Sequence, residues 1–146
     1  MELSKTLIPK ELQRQLISNT YDVIGQMHYV HKDLGPGLPE YIYQEALAMR
    51  IEKEIVKPLK EYQFHPIFDG KPLNSYVKMD LVVPLQSGNV IIECKSIAEL
   101  TNKERYQTFG YLRATGFPIA VLVNFGGWPK AEIERYYYND GTVFAF

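Results

Sequence analysis

Asp80, Glu93 and Lys95 are the residues best suited by type and spacing to do chemistry in this chain. They lie in "DLVVPLQSGNVIIECKS", from Asp80 to Ser96, which reads as two apolar strands around a turn. A two-residue turn at Ser87-Gly88 sets Gln86 opposite Asn89, Val83 opposite Ile92, Val82 opposite Glu93 and Asp80 opposite Lys95. Opposed residues share a face of a sheet, as do residues two apart in one strand. Asp80, Glu93 and Lys95 are therefore expected on one side, with the Cys94 side chain on the other. A slip of one residue would break the grouping.

Two carboxylates on neighbouring strands can close on one hard cation. Magnesium takes oxygen ligands at about 2.1 Å and keeps several waters; Mn²⁺ suits the same donors. The backbone carbonyl of Cys94 is a candidate third ligand. Lys95 would then stand beside the attacking water and the scissile phosphate, where an ammonium helps activate one or neutralise the other. These are the parts that metal-assisted phosphodiester hydrolysis needs. The same three residues also fit a plain ion-pair cluster, and charges flanking apolar strands guard against aggregation.

The elements that must carry these groups are legible in outline. Glu11 to Leu34 has a helical pattern, with a break expected near Ser18-Asn19 and Tyr21, Ile24, Met27, His31 and Leu34 at helical spacing. "GPG" at 35–37 stops it, and a second helix follows with Pro39 in its first turn and Leu38, Ile42, Ala46 and Met49 along one face. Glu61 to Phe68 is extended, and Asp69 to Lys71 is a turn. Strands are expected over Tyr76–Leu85 and Val90–Lys95. Thr101 and Glu104 form a capping-box signature for a third helix running to about Ala114, with Gly116 just beyond. Pro118 to Phe125 is a buried strand, and "EIERYYYND" and "TVFAF" supply edge strands. This order gives an α/β sandwich with a mixed central sheet.

The totals limit the choices. With 146 residues, 46% of them apolar and 23% charged, one globular domain is expected. No run approaches the roughly 20 apolar residues of a membrane span, and "MELSKTLIPKELQRQL" lacks a secretory h-region. The single cysteine, Cys94, excludes an internal disulfide and points to a reducing compartment, the cytoplasm. A net charge of -1 supplies no global attraction for nucleic acid, so binding would need a local patch.

Upstream stands "GLPEYIY", in which Gly37, Glu40 and Tyr43 spell G-x-x-E-x-x-Y. With "HKDLGPG" before it, "QEALAMR" after it, and "YLRATG" and "VLVNFG" downstream, the chain from about Thr20 to Asn139 resembles the GxxExxY family, a branch of the PD-(D/E)XK nuclease superfamily. The resemblance implies a restriction-endonuclease-like fold in a single domain, with residues 1–18 as a helical extension. It also implies a Mg²⁺-dependent nuclease acting on nucleic acid, DNA ahead of RNA.

Position by position, the resemblance assigns the first acid to Glu40, the metal-binding aspartate to Asp80 and the E-x-K to Glu93 and Lys95. Metal ligands would be Asp80, Glu93, the Cys94 carbonyl and Glu40. Gln107 and Tyr111 match a Q-x-x-x-Y element, and Lys103 stacks with them on one helical face. Lys78 stands where the family usually has an arginine, which gives a softer phosphate contact. Lys78, Lys103 and Tyr111 are the implied substrate contacts.

Other residues carry plainer readings. Tyr43 suits packing, and His28 and His31 lack a third zinc ligand. Lys103, Arg105, Arg113, Lys130 and Arg135 fit either a phosphate-facing rim or a solvated surface. "RYYY" at 135–138 fits base stacking or, better, a strand with alternate buried tyrosines. The aromatic C-terminal strands leave a homodimer open. The competing functional reading is a non-catalytic module on a nuclease fold, binding nucleic acid or protein.

Overall fold

The computed structural model describes residues 8–146; the first seven residues of the expected N-terminal extension lie outside the described residues. Its elements run α1 (Lys10–Leu34), α2 (Glu40–Glu54), β1 (Leu59–Phe64), β2 (Ile67–Phe68), β3 (Lys71–Pro72), β4 (Val77–Leu85), β5 (Gly88–Lys95), α3 (Asn102–Thr115), β6 (Ile119–Asn124), β7 (Glu132–Asn139) and β8 (Thr142–Ala145). Six strands form one mixed sheet in the order β1-β4-β5-β6-β7-β8, while β2 and β3 form a separate hairpin. Only β5 and β6 are parallel. Their connection is the crossover through α3 that parallel strands require.

Each face of the sheet has its own core. α1 and α2 bury Val23, Met27, Tyr43, Leu47 and Ile51 against Leu81, Val83, Ile92 and Cys94. On the other face α3 buries Phe109 and Leu112 against Val82, Ile91, Ala120 and Leu122. β6 is buried at all six positions because both faces are covered. This is the α/β sandwich, a mixed sheet flanked by helices, that a restriction-endonuclease-like fold requires.

Several local expectations need correction. α1 is continuous through Ser18 and Asn19, and no glycine or proline interrupts it there. Pro39 is the N-cap of α2 and not part of its first turn. The buried face of α2 is Tyr43, Leu47, Ala48 and Ile51, while Met49 is exposed. Tyr43 makes the difference: its ring stacks on Phe125 at 4.7 Å, which turns the helix one position from the aliphatic stripe. Of the two aromatic C-terminal segments only β8 is an edge, because β7 pairs with both β6 and β8.

The β4–β5 turn is Gln86-Ser87, with Leu85 opposite Gly88 and Val83 opposite Val90. The expected register was two residues off. Gly88 belongs to the strand because it packs on Pro118: a Cβ there would lie 2.7 Å from the proline Cγ. An even slip leaves the alternation of β5 unchanged, so Glu93 and Lys95 still share a face; on β4 the alternation breaks at Asp80-Leu81, since Met79 and Val82 pack into one core while Leu81 and Val83 pack into the other. Pro84, which cannot donate to a ladder, lies beyond the last β1 partner, Val82.

Candidate active site

The paired register of β4 and β5 ends at Leu81 and Ile92, and Asp80 and Glu93 follow just beyond it. The ladder changes character there. Asp80 N–H donates to Glu93 Oε1 at 3.1 Å, and Cys94 N–H donates to Asp80 Oδ2 at 2.8 Å. The two carboxylates thus take over backbone donors and are held beside each other. Burial, and then Asp80 beside it, push Glu93 up to about 9. Burial also raises Asp80, although the Cys94 N–H and Lys95 pull it back. The Cys94 side chain points into the α1–α2 core, where burial raises its thiol far above the ordinary value. It is inert.

Lys95 shares the strand face of Glu93 and reaches α3, its Nζ donating to Gln107 Oε1 at 2.9 Å. The capping box of Thr101 and Glu104 fixes where α3 starts, and Gly116 in the left-handed conformation ends it. One turn beyond Gln107, Tyr111 is half-buried; burial, with Glu93 and Asp80 nearby, pushes its hydroxyl up to about 12. Lys103, one turn before Gln107, is exposed.

Glu40 comes from the other helical layer as the first residue of α2. Burial raises its carboxyl, Lys95 lowers it and Asp80 raises it further, so it stands within electrostatic reach of both. Its approach is fixed by the loop before it. The Tyr43 hydroxyl accepts from Leu38 N–H at 3.1 Å and donates to Gly35 O, and Ser96 Oγ donates to Leu38 O at 2.7 Å. The tyrosine of G-x-x-E-x-x-Y is therefore a clasp on the loop that aims the glutamate.

Two residues at the site carried no signal in the sequence. Glu61 lies opposite Asp80 in the β1–β4 register and adopts φ 52, a left-handed conformation inside a strand. Gln44 holds it, its Nε2 donating to Glu61 Oε1 at 2.7 Å and to Asp80 O at 3.2 Å. Lys78 pairs with the same carboxylate at 3.2 Å. The Gln44 hydrogen bond, with help from Lys78, keeps Glu61 below the usual glutamate value. Gln44 sits in "QEALAMR", but its spacing says nothing of this role.

Behind Lys95, its parallel partner Asn124 is fully buried. Asn124 Oδ1 accepts from Ile97 N–H and Gly126 N–H, both at 3.0 Å; its Nδ2 donates to Ile97 O at 3.0 Å and to Glu132 Oε1 at 2.8 Å. This clamp fixes the chain as it leaves β5 for α3.

Of the basic residues that fit either a phosphate-facing rim or a solvated surface, Arg105 and Arg135 do not turn toward the candidate acids. Arg105 is bound to Glu134, with Nε–Oε1 and Nη2–Oε2 both at 2.8 Å, and Arg135 Nε donates to Phe146 O. Both line a separate cleft of about 930 Å³ beside β7 and β8, which contains none of the candidate acids. Tyr136 packs edge-on against Phe109, so "RYYY" is structural at that position. His31 bonds Gly127 O at 2.7 Å and is also structural.

Among the described residues, no three His, Cys, Asp or Glu side chains form a ready-made metal cluster. The donors present still fit a hard divalent ion that keeps most of its waters. Asp80 and Glu93 supply adjacent oxygens whose mutual repulsion a cation would relieve, and Glu40 stands at the margin.

Paired carboxylates and a lysine on adjacent strands of a mixed sheet, at the carboxyl end of its parallel pair, define a nuclease-like α/β domain. The family model of the PD-(D/E)XK nuclease superfamily matches residues 18–136, and the chain belongs to that superfamily. No curated protein and no solved structure matched. No helix of the described residues is long and apolar enough to cross a membrane.

Proposed function

We propose that this protein is a metal-dependent nuclease of the GxxExxY branch, hydrolysing phosphodiester bonds, with DNA ahead of RNA as substrate. The observation that carries this reading is the Asp80–Glu93 pair, joined at the end of the β4–β5 ladder with Glu93 buried and Asp80 half-buried, and with Lys95 two residues further along β5. Two acids held together against repulsion cost stability, and a scaffold has no need of them.

Asp80 and Glu93, with the Cys94 carbonyl and Glu40, would hold Mg²⁺ or Mn²⁺, which when bound polarises the phosphate and lowers the pKa of water. Lys95 places an ammonium toward the phosphate, where it offsets charge that grows as water attacks. Gln107 orients Lys95 through the Nζ–Oε1 bond. Glu61 and Gln44 brace Asp80 from the β1 side. Lys78 would have to exchange its Glu61 partner for a substrate phosphate, while Lys103 and Tyr111 extend the contact surface along α3.

A non-catalytic binding module is the second reading. It is favoured by one observation, the lack of a third converging ligand among the described residues. Incubation with single- and double-stranded DNA and RNA, in Mg²⁺, Mn²⁺ or EDTA, separates the two. Metal-dependent cleavage lost in Asp80→Asn supports the nuclease. Binding without cleavage in either metal supports the module.

A further inference from the structure

The β2–β3 hairpin stands outside the main sheet and carries large apolar residues into solvent. Ile67 is 59% exposed, Phe68 66% and Tyr76 51%. Four such residues, counting Leu73, in one short excursion are costly unless something covers them.

The hairpin is built to hold its shape. Ile67 pairs with Pro72 and Phe68 with Lys71. The connecting Asp69-Gly70 has φ 50 and 74, both positive as a tight primed turn demands. At its base, Leu73 N–H donates to Pro66 O at 2.9 Å, and His65 Nδ1 bonds Leu73 O at 2.9 Å. The His65 ring meets Tyr76 edge-on at 5.6 Å.

Its location is informative. The hairpin leaves the sheet after Phe64 of β1 and returns at Val77 of β4, which are partners. Asp80 is three residues further along β4, about 10 Å at strand rise. Because β4 and β5 are antiparallel, this is also the end where Glu93 and Lys95 emerge. The hairpin therefore stands beside the candidate site and not at the far end of the molecule.

Its place beside the site of a nuclease-superfamily domain points to nucleic acid as what covers it, and charge says how it would be held. The chain has a net charge of -1, and the carboxyls of Glu40, Glu61 and Asp80 gather near the site. Lys78 is already paired with Glu61. Phosphate attraction alone is a weak source of affinity here, so a polyanion needs contacts that do not depend on charge. A flat aromatic side chain stacks on any base, and an apolar wedge inserts where bases are already unstacked. Lys71, directly across from Phe68, supplies one cation for the phosphate flanking such a base.

We propose that the β2–β3 hairpin is a base-contacting wedge, with Phe68 and Ile67 at its tip, that selects nucleic acid with unpaired bases beside the bond presented to Asp80, Glu93 and Lys95. The binding part rests on reading the neighbouring site as one for nucleic acid, and the cleavage part rests further on the nuclease reading.

The test measures binding of the full chain in EDTA to labelled DNA oligonucleotides that are fully paired, single-stranded or paired around an unpaired bubble. Parent protein is expected to bind the single-stranded and bubble forms about tenfold or more tighter than the duplex. The salt dependence should be shallow, equivalent to about one or two phosphates. Phe68→Ala and Ile67→Ser should each remove most of that preference with an unchanged melting temperature, because both side chains are exposed. Equal affinity for all three DNAs, or full binding by Phe68→Ala, overturns the proposal. So does loss, in the same variants, of self-association or of binding to phosphatidylserine vesicles without an effect on DNA. Cleavage is read separately in Mg²⁺. Selective binding without cleavage overturns the nuclease reading and keeps the wedge, whereas cleavage indifferent to Phe68 does the reverse.

Discussion

Asp80 and Glu93 meet at the end of the β4–β5 ladder, each carboxylate taking a backbone N–H from the neighbouring strand. Normal ladder bonds would leave both side chains free to turn toward water. Here the backbone fixes them in a half-dry position, and a bound cation would relieve the charge problem this creates.

Metal should therefore stabilise the folded chain. At a hundredfold excess over Kd, a ligand of the native state adds about 2.7 kcal/mol, or about 5–10 °C in Tm for a chain of this length. A melting curve unchanged by millimolar Mg²⁺ and Mn²⁺ would remove the metal site.

The same pair sets a pH dependence in EDTA. Glu93 lies near 9 in the folded state against an ordinary 4.5, so the folded chain binds the extra proton across that window. Its contribution is fully present below the unfolded value and is lost as pH rises through the folded one. Tm in EDTA should fall between pH 5.5 and 8.5, and Glu93→Gln should flatten that slope. A Tm that climbs over this range would contradict the burial of Glu93 beside Asp80.

Tyr43 should be structural, with a functional echo. Tyr43→Phe leaves Leu38 N–H and Gly35 O without their partner, a cost of about 1–2 kcal/mol. Tyr43→Ala also empties a fully buried site stacked on Phe125, at about 3–5 kcal/mol. Denaturant titration would read both. If Tyr43→Phe proves as stable as the parent yet inactive, the hydroxyl acts on substrate and not on the loop.

Strand parity in β5 puts Glu93 and Lys95 on one face wherever the turn falls, because an error of two residues leaves faces unchanged. Asp80 lies where the alternation of β4 breaks, and its link to β5 is made by side-chain hydrogen bonds that parity does not read. The α2 stripe failed for a different reason: it was read from aliphatic residues, and the helix is oriented by Tyr43. Glu61 was illegible in principle. A lone glutamate in a polar edge strand gives no sign of its left-handed backbone, which depends on tertiary partners, Gln44 and Lys78. Asn124 shows the same limit, since "VLVNFG" reads as a buried strand end and its four hydrogen bonds belong to the fold.

Gly126 and Asn124 should tolerate almost nothing. A Cβ on Gly126 would meet Ile97 O at 2.1 Å, a backbone atom that cannot step aside. Asn124→Ala would leave Ile97 N–H and O and the Glu132 carboxylate short of partners, each at about 1–3 kcal/mol. Gly126→Ala and Asn124→Ala should both lower Tm markedly. Wild-type stability in either would mean that the loop after Lys95 is held by something other than this clamp.

Lys95 gives the sharpest division of labour. An ammonium cannot ligate a cation, so Lys95→Ala should leave the metal-induced rise in Tm intact while cutting cleavage by about 10²–10³, the usual effect of removing one preorganised charge. Asp80→Ala should lose both. Gln107→Leu should fall between, because it frees Lys95 from the 2.9 Å bond that orients it without removing the charge. The discriminating measurement is metal-dependent Tm alongside cleavage for the same three proteins. Should Lys95→Ala cut DNA at the parent rate, the lysine is a structural partner of Gln107. The binding-module reading would then account for the site better than hydrolysis does.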